Sequence, residues 1–326
     1  MELLLHHSAL ARVAGKLELI SPALTPVILC DDGNLRRDDT IVSFADVAPT
    51  AIWLSVDILL SPELPKIRDI ALHQATVQWV QIGSAGVNDP LYKKLHDRGV
   101  KLSGSVAQAV AVAEYVIGSV FGAWYPRERY AAGQQGRKWQ RVLFQEIYGT
   151  NWLIIGYGNI GQRIAERIRP FGVQVTAVRR KCAPNEPHCR MATPTDLPDL
   201  LPVADVVVLA NALTREAINM ANEAFFAQMK QGSYFVNVGR GQSVDEAALL
   251  RSLDEGRVAC AILDVFREEP LPSDSPLWSH PKVRLTPHTA GAGTGMRDRA
   301  DQQFLANLER FQTGEQLIAE VSAESF

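Results

Sequence analysis

A glycine-rich hexapeptide at residues 156–161, G-Y-G-N-I-G, constrains the fold of this chain more than any other feature. An apolar run at 152–155 precedes it, and apolar side chains at helical spacing follow it from 160 to 171. On its own, a G-x-G-x-x-G pattern is weak evidence for a nucleotide site, because a purely structural turn is the alternative. Between a strand and a helix, the pattern is typical of a dinucleotide-binding turn. The first glycine permits the tight turn, the second admits a pyrophosphate close to the backbone, and the third lets helix and strand pack. Since the helix N-terminus offers free N–H groups to the diphosphate, we predict cofactor contacts from Gly156, Gly158, Asn159, Ile160 and Gly161.

A basic triplet, Arg179, Arg180 and Lys181, ends the next predicted strand, and its first residue comes 18 residues after Gly161. In dinucleotide domains an acid at this place accepts hydrogen bonds from the ribose hydroxyls of NAD. A carboxylate would repel the 2′-phosphate of NADP, whereas a guanidinium binds a phosphate through charge-assisted hydrogen bonds. The triplet therefore favours NADP(H), with NAD as the second possibility. A solvated basic loop without a ligand is the alternative.

The rest of the chain alternates strands and helices in the way that builds parallel sheets. Its 326 residues exceed one typical core, which indicates two domains. The first predicted strands are 27–30, 51–54, 77–82 and 100–102, with a helix at 89–98, and an apolar helix at 106–122 leads to a second series. That series has strands at 152–155, 173–178, 205–210, 234–238, 259–263 and 283–285, and helices at 160–171, 222–230 and 245–255. A final helix, 297–313, is placed to return the chain to the first domain.

We therefore predict an α/β fold with two doubly wound parallel-sheet domains. A smaller flavodoxin-like substrate domain comprises residues 1–104 and 292–326, and a Rossmann-type dinucleotide-binding domain comprises residues 105–291. Cofactor and substrate are expected in the cleft between the domains, and closure of that cleft would exclude water from the reaction.

Composition excludes several classes of protein. The net charge of −3 gives no general attraction to nucleic acid or to an anionic membrane, and no apolar run reaches the roughly 18 residues that span a bilayer. Residues 1–7, M-E-L-L-L-H-H, lack the basic start and long apolar core of a signal peptide. Cys182 and Cys189, with His188 between them, would form a metal site only with further ligands, so a loop with two reduced thiols is favoured. We expect a cytoplasmic protein without a bound metal.

Three charged groups each follow an apolar run: Arg240 in V-N-V-G-R-G, Glu269 in L-D-V-F-R-E-E-P and His288 in L-T-P-H-T-A-G. In open α/β sheets, ligands bind outside the carboxyl ends of the strands. A cation, an acid and an imidazole at that edge can together bind a carboxylate and move a proton, which indicates an enzyme acting on a small oxo or hydroxy acid. Taken singly, Arg240 could pair with a structural acid, Glu269 could be one more exposed charge, and His288 could cap a strand.

In this order and spacing, the motifs resemble the D-isomer-specific 2-hydroxyacid dehydrogenase family, most strongly over residues 106–291. Besides the glycine loop, the matching segments are M-K-Q-G-S at 229–233, N-V-G-R-G at 237–241, D-V-F at 264–266 with E-P at 269–270, S-P-L-W at 275–278 and T-P-H at 286–288. Gly239 departs from the pattern, because the family more often has alanine there, and it could loosen the backbone beside Arg240. The basic triplet and an exposed arm at 125–142 that contains Trp139 favour the glyoxylate and hydroxypyruvate reductase branch.

The resemblance implies a role for each of the three charged groups. Arg240 would bind the substrate carboxylate and polarise the C2 carbonyl, for which a planar and permanently charged guanidinium is suited. As hydride reaches C2, His288 would donate a proton to the carbonyl oxygen, or remove it in the oxidative direction. Glu269, the residue before proline, would orient the imidazole of His288, and Glu268 is its local competitor.

Further contacts are implied by the same resemblance. Main-chain N–H groups of Ala85 and Gly86 would hold the carboxylate, and a plain strand–loop turn is the rival interpretation. Asp264 would lie near the nicotinamide carboxamide or serve as a structural acid, and Thr214 would contact the cofactor or cap a helix. We hypothesise that Trp139 reaches the active site of a partner in a homodimer; burial in the dimer interface alone is the alternative. The implied cofactor contacts after the basic triplet are Thr214, Val238, Gly239, Asp264 and Gly291.

The expected reaction is the NADPH-dependent reduction of glyoxylate, hydroxypyruvate or a similar short 2-oxo acid to the D-2-hydroxy acid. Two alternatives stay open. One is another dehydrogenase of the family, acting on lactate, glycerate 3-phosphate or a bulkier acid. The other is a dinucleotide-sensing binding protein that resembles the family's corepressors.

Overall fold

The computed structural model describes residues 1–87, 89–181, 184 and 186–323. The chain divides into two compact units, one formed by Met1–Gln108 with Thr294–Phe326 and the other by Ala109–Gly293. The sequence placed the two junctions at 104/105 and 291/292, so the observed boundaries lie four and two residues further along the chain. None of the helices in the described part of the chain combines the length and the apolar character that crossing a lipid bilayer requires.

The first unit contains a seven-stranded sheet. Its strands are β1 (Glu2–His6), β2 (Thr25–Leu29), β3 (Leu35–Arg37), β4 (Thr40–Val42), β5 (Ala51–Leu54), β6 (Trp79–Ile82) and β7 (Lys101–Ser103), in the spatial order 4-3-2-1-5-6-7. Five of them, β2-β1-β5-β6-β7, run parallel in the flavodoxin-like order, and β3 with β4 adds an antiparallel ribbon at one edge. The helices before the second unit are α1 (His7–Ile20), α2 (Val56–Leu59), α3 (Leu64–His73) and α4 (Pro90–Asp97).

The second unit contains a seven-stranded sheet in which every pair is parallel. Its strands are β8 (Asn151–Ile155), β9 (Gln174–Val178), β10 (Arg190–Ala192), β11 (Val206–Leu209), β12 (Ser233–Asn237), β13 (Val258–Leu263) and β14 (Val283–Leu285), in the order 10-9-8-11-12-13-14. Its helices are α5 (Ala109–Trp124), α6 (Arg127–Gln135), α7 (Asn159–Ile168), α8 (Leu197–Leu200), α9 (Glu223–Gln228) and α10 (Glu246–Asp254). The strand order reverses between β8 and β11, and ligands of such sheets bind at this point.

The last helix, α11 (Met296–Thr313), belongs to the first unit. Its Phe304 is fully buried and stacks on Trp53 and Trp79, with ring centroids 3.9 Å and 5.8 Å apart. The apolar face of this helix therefore packs on one face of the sheet in the first unit. The one-sided apolar pattern of residues 297–313 predicted that this helix returns to the first domain.

The predicted α/β class with two parallel-sheet domains is confirmed. The predicted strands of the second unit match β8, β9 and β11–β14 to within one residue at each end. The predictions missed β1, the β3–β4 ribbon and the helices α1, α2 and α3 in the first unit, and β10, α6 and α8 in the second.

Candidate active site

Arg240 follows β12 on a turn that the side chain of Asn237 organises. Asn237 is fully buried; its Nδ2 donates to the carbonyl of Arg240 at 3.0 Å, and its Oδ1 accepts from the N–H of Gly239 at 3.1 Å. The guanidinium of Arg240 donates to the carbonyl of Gly239 at 2.7 Å and forms no ion pair within the described residues. Burial lowers the pKa of Arg240, an effect that the negative charge of Glu269 opposes. A desolvated cation without an ion-pair partner is well placed to receive an anionic ligand.

Close packing at Gly241 joins the arginine loop to the loop that follows β13. A Cβ on Gly241 would overlap the main chain of Phe266 and Arg267, so only glycine fits here. The loop that carries Arg240 is thereby held directly against the loop that carries Glu269.

Glu269 and His288 form a hydrogen-bonded pair. Nδ1 of His288 lies 2.7 Å from Oε2 of Glu269, whose Oε1 accepts from the N–H of Phe266 at 2.9 Å. Because a carboxylate only accepts, Nδ1 of His288 carries the proton, and Nε2 is left to exchange a proton with a ligand. The His288 side chain is 55% exposed, so a ligand can approach it. The arrangement is that of an imidazole acid–base oriented by a carboxylate.

The main chain at His288 is left-handed, with φ of 50°, a conformation that costs a residue with a Cβ roughly 1–2 kcal/mol. Asp264 holds this turn. Its carbonyl accepts from the N–H of His288 at 2.9 Å, and its buried carboxylate accepts from the N–H groups of Thr289 at 2.8 Å and Ala290 at 3.0 Å. Non-glycine residues held in this region are concentrated at functional sites. Among the described residues, Oδ2 of Asp264 accepts only the N–H of Ala290, which leaves capacity for a further donor such as a carboxamide.

The glycine loop follows β8 at the point where the strand order reverses, beside β11. Gly156 has φ of 103°, and a Cβ there would come within 2.5 Å of the main chain of Asn211; Gly161 packs on the carbonyl of Gly156. A Cβ on Gly158 would instead enter open space, so the backbone at the start of α7 is accessible. Free N–H groups at a helix N-terminus beside open space fit the diphosphate of a dinucleotide.

The basic triplet is exposed directly after β9, the neighbour of β8 in the sheet. Adjacent strands lie about 4.8 Å apart, so the triplet follows the immediate neighbour of the strand that leads into the glycine loop. Thr214 occupies the N-cap position of a 3₁₀ helix, Arg215–Ala217, but its side chain forms no capping hydrogen bond. Hydrogen bonds from its own main chain and from Thr214, together with the charge of Arg180, lower the pKa of Glu216. The loop after β11 therefore faces the basic triplet.

The remaining predicted residues include Ala85, Gly86, Trp139 and Val238. Ala85 and Gly86 belong to the first unit, in a loop after β6 where the Ser84 hydroxyl donates to the carbonyl of Gly86 at 2.9 Å. Trp139 is 97% exposed, in a segment after α6 that has no regular structure. The exposed arm expected at 125–142 thus contains a helix, α6, with no buried side chain. Val238, whose N–H donates to the carbonyl of Leu209 at 3.0 Å, contributes through its main chain.

Sequence reasoning missed four uncharged residues that build the site: Asn211, Asn237, Thr286 and Tyr115. The buried Oδ1 of Asn211 has no hydrogen-bond partner among the described residues and lies beside the glycine loop, where a ribose hydroxyl could donate to it. Asn237 did carry a signal, because an amide that ends an apolar buried strand requires a specific partner.

One group of possible metal ligands, His6, His7 and Asp31, lies at the carboxyl ends of β1 and β2 in the described part of the first unit. The N–H of Ser8 donates to Nδ1 of His6 at 3.2 Å. The neutral ring therefore carries its proton on Nε2, the atom that faces Asp31, and offers no lone pair to a metal there. Cys182, of the other pattern considered, lies outside the described residues.

Known proteins share the sequence pattern and the fold of this chain. Residues 117–290 match the model of the D-isomer specific 2-hydroxyacid dehydrogenase, NAD binding domain. The chain is 37% identical over 295 residues to a glyoxylate reductase of Pyrococcus horikoshii, covering 87% of this chain and 86% of that protein.

Two solved structures share the fold over nearly the whole chain. One is a D-isomer specific 2-hydroxyacid dehydrogenase from Xanthobacter autotrophicus in complex with NADPH and MES, with a TM-score of 0.78, 24% identity and full coverage of both chains. The other is an NADPH-dependent glyoxylate/hydroxypyruvate reductase from Sinorhizobium meliloti in complex with NADP and sulfate, with a TM-score of 0.74, 22% identity and coverage of 99% and 98%. Together with the matched family model and the extent of the sequence identity, the site shows that this chain belongs to the D-isomer-specific 2-hydroxyacid dehydrogenase family, whose members are NAD(P)-dependent oxidoreductases.

Proposed function

We propose that the protein reduces a short 2-oxo acid to the 2-hydroxy acid with NADPH, converting glyoxylate to glycolate, which is achiral, or hydroxypyruvate to the D-2-hydroxy acid. The observation that carries the proposal is the 2.7 Å contact between Nδ1 of His288 and Glu269, which leaves Nε2 of an exposed imidazole available for proton transfer. Relatives named glyoxylate reductase support the choice of substrate, and D stereochemistry follows from the family.

Arg240 binds the carboxylate of the substrate and stabilises the negative charge that develops on the C2 oxygen. Its guanidinium is desolvated and has no ion-pair partner in the described part of the chain, so solvent screens its charge less than that of an exposed arginine. Bound NADPH would supply the hydride. His288 donates the proton from Nε2 to the C2 oxygen, and Glu269 stabilises the protonated imidazole and fixes its orientation. Main-chain N–H groups at Ala85 and Gly86 are proposed as further hydrogen-bond donors to the substrate.

The preference for NADPH over NADH rests on Arg179, Arg180 and Lys181, which are exposed beside the strand that leads into the glycine loop. Guanidinium groups bind a phosphate through charge-assisted hydrogen bonds. Solved structures of the same fold contain NADPH or NADP, which agrees with this assignment. The glycines 156, 158 and 161, with Asn159 and Ile160, hold the diphosphate, and Asp264 and Gly291 lie toward the nicotinamide.

We also propose that the protein is a homodimer that uses the exposed arm. Trp139 in the arm is 97% exposed, Leu143 directly after the arm is 99% exposed, and Phe144 and Tyr148 are further exposed aromatic residues that follow. Apolar side chains grouped in this way mark protein–protein contacts more often than free surface.

The function is tested by measuring absorbance at 340 nm with NADPH or NADH against glyoxylate, hydroxypyruvate, pyruvate, 3-phosphohydroxypyruvate and bulkier 2-oxo acids. Glyoxylate or hydroxypyruvate with NADPH should give the highest kcat/KM. In His288→Gln, kcat should fall by about 10²- to 10⁴-fold because the general acid is lost, while the Kd for NADPH stays unchanged.

His73→Gln is the matched control, since His73 is exposed on α3 and pairs with Asp69. Near-normal kcat in His288→Gln would refute the acid–base role. Highest kcat/KM with pyruvate or 3-phosphohydroxypyruvate would assign a different substrate, and NADPH binding without turnover of any acid would favour a dinucleotide-sensing protein.

A further inference from the structure

A chain of three side chains reaches from helix α5 to the turn that carries His288. The hydroxyl oxygen of Thr286 lies 2.6 Å from Oδ1 of Asp264 and 2.8 Å from the hydroxyl oxygen of Tyr115. Tyr115 lies in α5, 171 residues before Thr286 in sequence. All three residues are in the second unit.

The chemistry of the three groups fixes the direction of both hydrogen bonds. A carboxylate only accepts, so the one proton of the Thr286 hydroxyl goes to Asp264. The same hydroxyl must then accept from Tyr115. Burial raises the pKa of Tyr115, which keeps its phenol protonated and able to donate.

Asp264 connects this series of hydrogen bonds to the residues on both sides of His288. Oδ1 of Asp264 receives the Thr286 hydroxyl together with the N–H of Thr289 at 2.8 Å, so the residues before the turn and after it meet on one oxygen atom. The carbonyl of Asp264 accepts the N–H of His288 itself at 2.9 Å. The left-handed main chain at His288 is thus bracketed by hydrogen bonds to a single buried residue.

We propose that Tyr115 and Thr286 are positioning residues, which act through Asp264 to hold His288 with Nδ1 on Glu269 and Nε2 directed to the substrate. The inference deepens the proposed function and rests on it for the role of His288 as the acid. Without the Thr286 hydroxyl, the phenol of Tyr115 loses this acceptor and Oδ1 of Asp264 loses one donor. The turn is then free to relax from its left-handed conformation, and the imidazole moves.

Thr286 is the residue to change, because Asp264 itself is proposed to contact the cofactor. Thr286→Val keeps the shape of the side chain and removes the hydroxyl, whereas Thr286→Ser keeps the hydroxyl and is the matched rescue variant. Tyr115→Phe removes the phenol hydroxyl that donates to Thr286 and changes no residue of the turn that carries His288. Thermal melts of each variant show whether it is folded.

Two readouts follow the position of His288. The first is kcat and KM with NADPH and glyoxylate, together with the Kd for NADPH. In Thr286→Val, kcat should fall on the order of 10²-fold, as expected when a catalytic group is displaced by about 1 Å, and the Kd for NADPH should be unchanged. Tyr115→Phe should show a smaller loss of kcat. Thr286→Ser should recover most of the wild-type kcat.

The second readout is the ¹H–¹³C spectrum of protein labelled in its seven histidines, with the His288 signals assigned from their loss in His288→Gln. These signals should move in Thr286→Val and return in Thr286→Ser. Unchanged His288 signals in a folded Thr286→Val variant, or a loss of kcat that serine does not restore, would overturn the inference. If the wild-type protein reduces none of the acids, the proposed function fails, and the spectra still decide whether the chain positions His288.

Discussion

Uncharged residues decide how the charged groups of the site are presented. Asn237 holds the Arg240 turn with both ends of its amide, and glycine at 241 permits the contact with the main chain of Phe266. Gly239 belongs to the same group. A Cβ there would lie 2.8 Å from the carbonyl oxygen of Asn211. The close approach of Asn211 explains why glycine occupies a position where alanine is more common in the family, and it shows a tight fit rather than the loosening that the sequence suggested.

Gly239→Ala should therefore push the Asn211 loop away from the glycine loop. The added methyl group overpacks the junction, which typically costs about 1–3 kcal/mol, and we expect a lower free energy of unfolding and a higher Kd for NADPH. Both are measured by urea denaturation and by titration of NADPH fluorescence.

Gly118→Ala provides the control for that experiment, because a Cβ at this helical position in α5 meets no atom within 4 Å. It should stabilise the protein by roughly 0.5–1 kcal/mol. An unchanged Kd for NADPH and unchanged stability in Gly239→Ala would show that the Asn211 loop yields without cost.

The charged residues of the candidate site could be predicted from the sequence, whereas its hydroxyl-bearing residues could not. Arg240, Glu269 and His288 were identified because charged groups at the ends of apolar runs are unusual and chemically informative. Thr286 and Tyr115 could not be identified in this way, since a hydroxyl is common in any loop or helix and their contact spans 171 residues. Only the folded chain shows that the two hydroxyls meet.

Among the elements, strands that are buried on both faces were the most predictable. β8 and β11–β13 are continuous apolar runs between turn signals, and all four are almost completely buried. β1 begins at the second residue and passes directly into α1, so no turn signal separates the two. The β3–β4 ribbon and β10 are strands of three residues at sheet edges, too short for a periodic pattern.

The loop after β9 should control which nicotinamide cofactor is used. In the double variant Arg179→Glu and Arg180→Glu, KM for NADPH should rise by roughly tenfold or more, because a hydrogen bond to a charged group contributes about 1.5–3 kcal/mol. KM for NADH should change much less, since NADH lacks the 2′-phosphate. Steady-state kinetics with both cofactors measure the difference.

Arg190→Glu, on the neighbouring strand β10, is the control for net charge and should leave both KM values unchanged. Equal increases in KM for NADPH and NADH in the double variant would instead indicate a general disturbance of the glycine loop.

For the whole molecule, each of the two units has a sheet and a core of its own, and the chain enters the first unit twice. The discontinuous division was predictable because two βα series and a terminal apolar helix stand in that order in the sequence. The homodimer stays a proposal, which rests on exposed apolar side chains in the arm at 125–142 and directly after it.

If the arm joins two copies, Trp139→Ala with Leu143→Ala should convert a dimer into a monomer, because both side chains lose their apolar burial at the interface. Light scattering after size-exclusion chromatography measures the mass. Leu19→Ala is the control, since Leu19 is 83% exposed in the first unit, outside the arm.

A monomeric wild-type protein at assay concentration would contradict the dimer. The kinetics of Trp139→Ala separate the two roles considered for this residue. A changed preference between small and bulky 2-oxo acids indicates that Trp139 contributes to a substrate pocket, and an unchanged preference indicates an interface contact only.

The absence of room for any side chain at Gly241 has a consequence for redesign. Two of the three chemical groups sit on backbones that touch, so neither loop can be lengthened, exchanged or shifted without displacing the other. A new substrate preference is therefore better sought by varying single exposed positions, such as Ala85 in the loop after β6. Catalytic power and selectivity in this scaffold can then be altered separately.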